Sequence, residues 1–168
     1  IVAHRVVRVD QGGGRWNIDD VVTAEHLVLA SGHRHPGPRR EVIVVAKPVA
    51  SFARFPDRDI RGLCIERLAT GWLYSLPVPG GGRFVGVCSP NMVGVDKALS
   101  TSKLERQLAG QAAIGQCTGA AVVQVFEEVA GPNWIAIGNA AFQPDPLCGE
   151  GLWFALETAR EAAEVICG

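Results

Sequence analysis

The residues best placed to do chemistry lie near the carboxyl end of the sequence. Trp134 to Ile137 is a short apolar run, Gly138 to Gly151 holds three glycines and two prolines, and an amphipathic helical pattern follows. The first N–H groups of a helix have no intrahelical partner, and with the positive end of the helix dipole they make a site for negative charge. Gly149, Gly151 and Leu152 are placed to present such N–H groups, and Gly138 lets the chain pass close to another part of a ligand. The alternative is a plain strand-to-helix connection that uses its glycines for turning. Ser31-Gly32-His33 offers a hydroxyl beside an imidazole, but without a G-x-S-x-G turn or a placed acid it does not read as a hydrolase nucleophile. His33, Arg34, His35, Arg39 and Arg40 could contact phosphate, although a solvated basic loop is the preferred reading. His4 and His26 lie in strand-like runs and lack partners at ligand spacing, so they are read as structural.

The elements that must hold these residues follow from hydropathy period and turn residues. Ile1 to Asp10 is rich in Val and Ile, Gly12-Gly13-Gly14 can turn, and Arg15 to Asp19 can return as a hairpin. Val21 to Ala30 ends in a continuous apolar run that stops at Ser31-Gly32, the pattern of a buried strand, read as parallel, feeding a loop. From Glu41 to Pro90 four strand-like runs alternate with Pro, Gly and Asp clusters, which predicts an antiparallel meander. Within it "LPVPGGGRFVGV" predicts a hairpin. Leu99, Leu104, Leu108, Ala112 and Ala113 suit a helix within 97–119, N-capped by Ser100 or Ser102. "AAVVQVFEEVA" is ambiguous, with strand preferred for its Val-rich part. In the final helix Leu152, Leu156, Ala159, Ala163 and Ile166 form one apolar stripe, and Glu157, Arg160, Glu161 and Glu164 take other positions.

Composition limits the classes of function. Hydrophobic residues make up 48% and charged residues 20%, the balance of a folded globular chain. A formal net charge of −1 gives no general attraction to nucleic acid or anionic lipid, so neither is an expected partner. No apolar run approaches the roughly 20 residues needed to span a bilayer, and no signal-type leader is apparent. The five cysteines form no CxxC pair, which argues against a zinc site or a disulfide framework. Reduced thiols and a cytoplasmic location are expected. The chain begins at Ile1 within a strand-like run and reads as a piece of something longer.

"WIAIGNAAFQPDPLCGEGLWFALETAREAA" is similar, almost residue for residue, to the second FAD fingerprint of the para-hydroxybenzoate-hydroxylase-like flavoproteins. Their usual run is Gly-Asp-Ala-Ala, then Asp-Pro, a Gly-rich step and an alanine-bearing helix. Asp-Pro followed by "GEGLWFAL" leans toward the branch holding tryptophan halogenases, geranylgeranyl-reductase-like enzymes and the monooxygenases of quinone-cofactor maturation. "GWLYSLPVPGGGRFVGV" also resembles that branch, in the sheet of its substrate domain. "AEHLVLASGHRHP" is similar to the strand end that closes over the ADP half of FAD. The resemblance is specific in the last segment, moderate at residues 71–88 and weak at residues 24–35.

The resemblance implies a mixed α/β chain, the second half of a glutathione-reductase/para-hydroxybenzoate-hydroxylase-like FAD fold. Residues 1–40 would belong to the FAD-binding domain, 41–130 to an antiparallel substrate domain, and 131–168 would return to the FAD-binding domain. It implies FAD as cofactor, with Gly138 and Asn139 against the ribitol and pyrophosphate. Pro146, Gly149, Gly151 and Leu152 would border the flavin ring, and Ala30, Ser31 and Gly32 the adenosine side. Trp72, Tyr74 and Trp153 become candidates for a substrate pocket, with core packing as the alternative. Glu150 is preferred as an acid favoured by the helix dipole, and nothing requires Cys148 to react.

Two departures carry consequences. Asn139 stands where the fingerprint has Asp, so weaker FAD binding is expected. The GxGxxG turn for the ADP pyrophosphate is absent from these residues, and Gly12-Gly13-Gly14 does not replace it because no helix pattern follows. The expected function is an FAD-dependent monooxygenase acting on an aromatic or peptidyl substrate, with NAD(P)H or a partner reductase as electron source. The alternatives are a non-catalytic module of the same fold, a halogenase, or an isoprenoid reductase; no catalytic residue is assigned.

Overall fold

The computed structural model describes residues 5–32, 36–56, 62–104, 108 and 110–168. His4, His33, Arg34 and His35 therefore lie outside the described residues. The chain forms two compact units, Ile1–Val45 with Val123–Gly168, and Ala46–Val122. The first unit opens with strands β1 (Val9–Gly12), β2 (Arg15–Ile18), β3 (Val22–Ala24), β4 (Leu27–Leu29) and β5 (Val42–Ala46). The second holds β6 (Val49–Phe55), β7 (Cys64–Leu68), β8 (Gly71–Pro77), β9 (Arg83–Ser89), helix α1 (Val95–Leu99) and β10 (Gly115–Ala120). The chain then returns to the first unit with β11 (Val123–Phe126), β12 (Ala130–Gly131), β13 (Trp134–Ala136), β14 (Phe142–Gln143) and α2 (Gly151–Cys167).

In the first unit the glycine-turned hairpin forms as β1 and β2, and β3 adds to β2. The apolar run 21–30 is two strands rather than one, broken at Glu25-His26. Its second part, β4, lies parallel to β13, with Trp134 opposite Leu27 and Ala136 opposite Leu29. Such a pairing needs a long crossover, and here the whole second unit lies within it. Trp16, Leu27, Leu29, Trp134, Ala136, Ala140 and Ala141 make the core, and the Trp16 indole donates to Asn133 O at 2.8 Å.

The second unit is a five-stranded antiparallel sheet in the order β10-β6-β9-β8-β7. The β8–β9 turn has φ of +84°, +96° and +95° at Gly80, Gly81 and Gly82, a region side chains disfavour. One sheet face buries Ala53, Phe55, Leu73, Val85 and Val87 against Val95, Ala98, Leu99, Leu104 and Leu108. Each large aliphatic side chain so buried stabilises the unit by about 1.5–3 kcal/mol. Arg83 joins this face, 1% exposed, donating to Ser75 Oγ at 2.5 Å, Ser75 O at 3.2 Å and Gly62 O at 2.8 Å.

One expectation about a helix start is corrected. Ser100 ends a helix instead of starting one: α1 begins after Gly94 and closes at Ser100. Ser100 Oγ donates to Lys97 O and Thr101 Oγ1 to Ala98 O, local bonds that compete with further winding. The Ser102 N–H donates to Leu99 O in a turn, while Leu108 is helical, its N–H donating to Leu104 O at 3.0 Å; residues 105–107 and 109 lie outside those described. The helix α2 is present, but its strongest apolar stripe is not its packed face. Leu152 and Leu156 are 75% and 64% exposed, and the buried residue is Ala162. Small side chains face inward because α2 packs closely on the backbone at Gly138, where a Cβ would stand 3.1 Å from Ala155 Cβ.

Candidate functional site

Two loops leave the same end of the parallel pair β4–β13. Leu29 O accepts the Ile137 N–H at 2.9 Å, so Ala30–Gly32 and Gly138–Ala140 follow from adjacent carboxyl ends. In open α/β sheets that end is where ligands bind. The structure thus brings together Ala30, Ser31, Gly32, Gly138 and Asn139, residues more than a hundred positions apart in the chain. Ala30, Ser31 and Asn139 are exposed; Gly138 is buried.

Gly138–Ala140 forms a tight 3-10 turn in which Gly138 has φ +54°. The Gly138 N–H donates to Thr158 Oγ1 at 2.9 Å, and the Thr158 hydroxyl donates to Phe154 O at 2.8 Å. Gly138 is thus explained in part by the helix behind it. Phe142 meets Phe154 edge to face at 5.5 Å, a second tie between loop and helix. The helix runs back along the pair: Val165 and Ile166 line a cavity of about 250 Å³ with His26, Trp134 and Ile135 at the opposite end. The N-terminus of α2 therefore projects beyond the carboxyl ends of the strands.

That N-terminus is open. Asp145 caps a second 3-10 turn, Pro146–Cys148, by accepting the Leu147 N–H at 2.8 Å, and Gly149 follows with φ +67°. Glu150 precedes the helix without a side-chain capping bond, and no acidic residue lies in the first turn. A Cβ added at Gly149 or Gly151 would meet nothing within 4 Å, so space lies beside the backbone there. Leu152 and Trp153 are exposed, the latter at 62%. A flavin fits these features: open space beside the backbone, uncapped N–H groups for an electron-rich ring edge, and an exposed amide at Asn139 for a hydroxyl.

Trp72 and Tyr74 belong to the other unit. They project from β8 on the sheet face opposite the core, 5.4 Å apart between rings. Phe84 is 6.1 Å from Tyr74 and stacks on Phe52 at 5.4 Å, which extends the aromatic row across three strands. Gly86 lies between Phe52 and Tyr74, and a Cβ there would overlap the Tyr74 ring. Beside the row a groove of about 300 Å³ is bordered by Phe52, Arg54, Phe84 and Cys117. Phe52 and Phe84 were not singled out in the sequence; the period-2 alternation of their strands carries the signal, but register was needed to join them. Burial, and secondarily Cys88, pushes the Tyr74 phenol above its ordinary pKa.

Arg40 is committed elsewhere than to a phosphate. Its guanidinium lies over Phe126 at 4.1 Å and near Trp134 at 5.6 Å, and donates to Glu128 O at 3.2 Å. Among the described residues no group of three metal-ligating side chains occurs, and no helix is long and apolar enough to cross a membrane.

No family model matches the chain. A menaquinone reductase of Mycolicibacterium smegmatis is 58% identical over 38 residues, 23% of this chain and 9% of that protein. One from Mycobacterium tuberculosis is 55% identical over the same length. Among solved structures, a flavin-dependent brominase matches with a TM-score of 0.76 and 22% identity over 97% of this chain and 50% of its own. A peptidyl tryptophan dihydroxylase of tryptophylquinone biogenesis matches with TM-score 0.70 and 23% identity, over 94% of this chain and 40% of its own. The chain thus spans half or less of the length of these relatives. Across that length it has the mixed α/β fold of the flavin-dependent oxidoreductases.

Proposed function

We propose that this chain is the flavin-ring and substrate portion of an FAD-dependent oxidoreductase. The observation that carries the reading is the open, uncapped N-terminus of α2 beside Gly149 and Gly151, projecting past the strand ends that bear Ala30–Gly32 and Gly138–Asn139. When bound, FAD supplies the electron transfer. The chain's part is to hold it. N–H groups of Gly149, Gly151 and Leu152 face the ring edge that gains negative charge on reduction, Pro146 borders the ring, and Asn139 meets the ribitol. Ala30, Ser31 and Gly32 approach the adenosine side. Within the other unit, taken by itself, Trp72, Tyr74, Phe84 and Phe52 offer an apolar aromatic face to a substrate; within the first unit, Trp153 is exposed on the first turn of α2 beside the proposed flavin loop.

Reduction of an apolar unsaturated or quinone substrate is the preferred reaction, with NAD(P)H or a reductase as electron source. The 58% local identity to a menaquinone reductase supports it more strongly than structural likeness at 23% or less supports hydroxylation or halogenation. Hydroxylation of an aromatic or peptidyl substrate is the second reading, favoured by the half-buried aromatic row. A purified chain titrated with FAD decides the first point: a perturbed visible flavin spectrum that saturates is expected, and an N139D variant should bind about fivefold tighter because a charged acceptor strengthens a hydrogen bond by about 1 kcal/mol. An unperturbed spectrum at high FAD would exclude cofactor binding by this chain. In the holoprotein, anaerobic reoxidation of reduced flavin by a short-chain naphthoquinone supports reduction; reoxidation only by oxygen with substrate hydroxylation supports the second reading.

A further inference from the structure

We infer that Thr158 is a positioning residue for the cofactor end of the first unit: it latches helix α2 to the Gly138–Ala140 turn and so fixes where Asn139 is presented. The inference rests on the flavin reading above but assigns a role to a side chain outside the loop.

Three observations meet at this hydroxyl. Thr158 Oγ1 donates to Phe154 O at 2.8 Å, a bond to the preceding turn that fixes its rotamer and leaves a lone pair outward. That lone pair accepts the Gly138 N–H at 2.9 Å. Gly138 is buried, so its N–H depends on this acceptor. The contact is possible only because Gly138 at φ +54° brings its backbone against Ala155, one turn earlier on the same face. Asn139, next in the chain, is exposed, while Ala140 beyond it is completely buried. The turn therefore has a fixed base on the helix and a single outward side chain. No serine, valine or alanine at 158 is equivalent in all respects: serine keeps the acceptor, valine keeps the shape, and alanine keeps neither.

The test uses the whole chain with T158V, T158S and T158A, read by amide exchange at Gly138 and Asn139, thermal midpoint and FAD titration. The latch predicts that T158V and T158A speed Gly138 exchange at least tenfold and weaken FAD binding about tenfold, while T158S keeps both near wild type. A merely structural role would lower the midpoint of T158A most and would leave T158V, which preserves packing, close to wild type in FAD affinity; that result overturns the proposal. Unchanged Gly138 exchange in T158V also overturns it. If the wild-type chain binds no FAD, the flavin reading fails and the cofactor role of the latch fails with it, whereas the exchange rates still report the Thr158–Gly138 bond separately.

Discussion

Tyr74 is the single tyrosine of the chain, so its titration can be followed without interference. Burial raises its phenol pKa, with a smaller contribution from Cys88. A raised folded-state value means that the neutral form is favoured by folding; this stability is complete below the unfolded phenol pKa and is lost as pH rises through the folded one. The ultraviolet absorbance of tyrosinate should therefore appear at higher pH in the native protein than in the urea-unfolded chain, and Y74F should flatten the alkaline limb of the stability profile. Coincident native and unfolded titrations would show that the ring is not held against Gly86 as described. At this scale the sequence was informative about residue type and less so about surroundings. Trp72 and Tyr74 were visible as candidates, but Phe52 and Phe84 joined them only through strand register. Arg40, read as a loop cation, is instead spent on Phe126 and Trp134.

Among the elements, the β8–β9 hairpin shows local and tertiary causes side by side. Its turn is written in three consecutive glycines, and the structure uses all three at positive φ. Its stability depends also on Arg83, buried at the first residue of β9 and bonded to Ser75 and Gly62. An R83M variant keeps much of the volume but leaves these oxygens without those donors, so a loss of about 3 kcal/mol is expected in urea unfolding of the protein. R83K should recover less than half, since an ammonium cannot reproduce the guanidinium fork. A loss below about 0.5 kcal/mol in R83M would show that water replaces those bonds. No hydropathy pattern announced this arginine, because alternation marks it only as an inward position in an otherwise apolar row.

For the molecule as a whole, the exposed apolar surface of the first unit has consequences. Leu156 and Val165 of α2 are 64% and 77% exposed, and Ile43 and Val45 of β5 are 52% and 66% exposed. Exposed apolar groups of this size favour association. The isolated chain should therefore self-associate at high concentration, and L156Q with V165Q should reduce this in sedimentation velocity while leaving helical circular dichroism unchanged. A double variant that loses helicity would mean that the stripe is packed in solution. The helical stripe was legible in the sequence; the direction it faces was not. Local chemistry determined what neighbours along the chain decide: the glycine turns, the strand and helix periods, and the glycine-rich loop before α2. Only the tertiary structure decided which strands pair, that β4 and β13 bring Ala30–Gly32 beside Gly138–Asn139, and which face of α2 is packed. Those outcomes depend on contacts such as Gly138 on Ala155 and Ser51 on Thr118, the latter 67 residues apart, and on close fit at small side chains rather than on hydrophobicity alone.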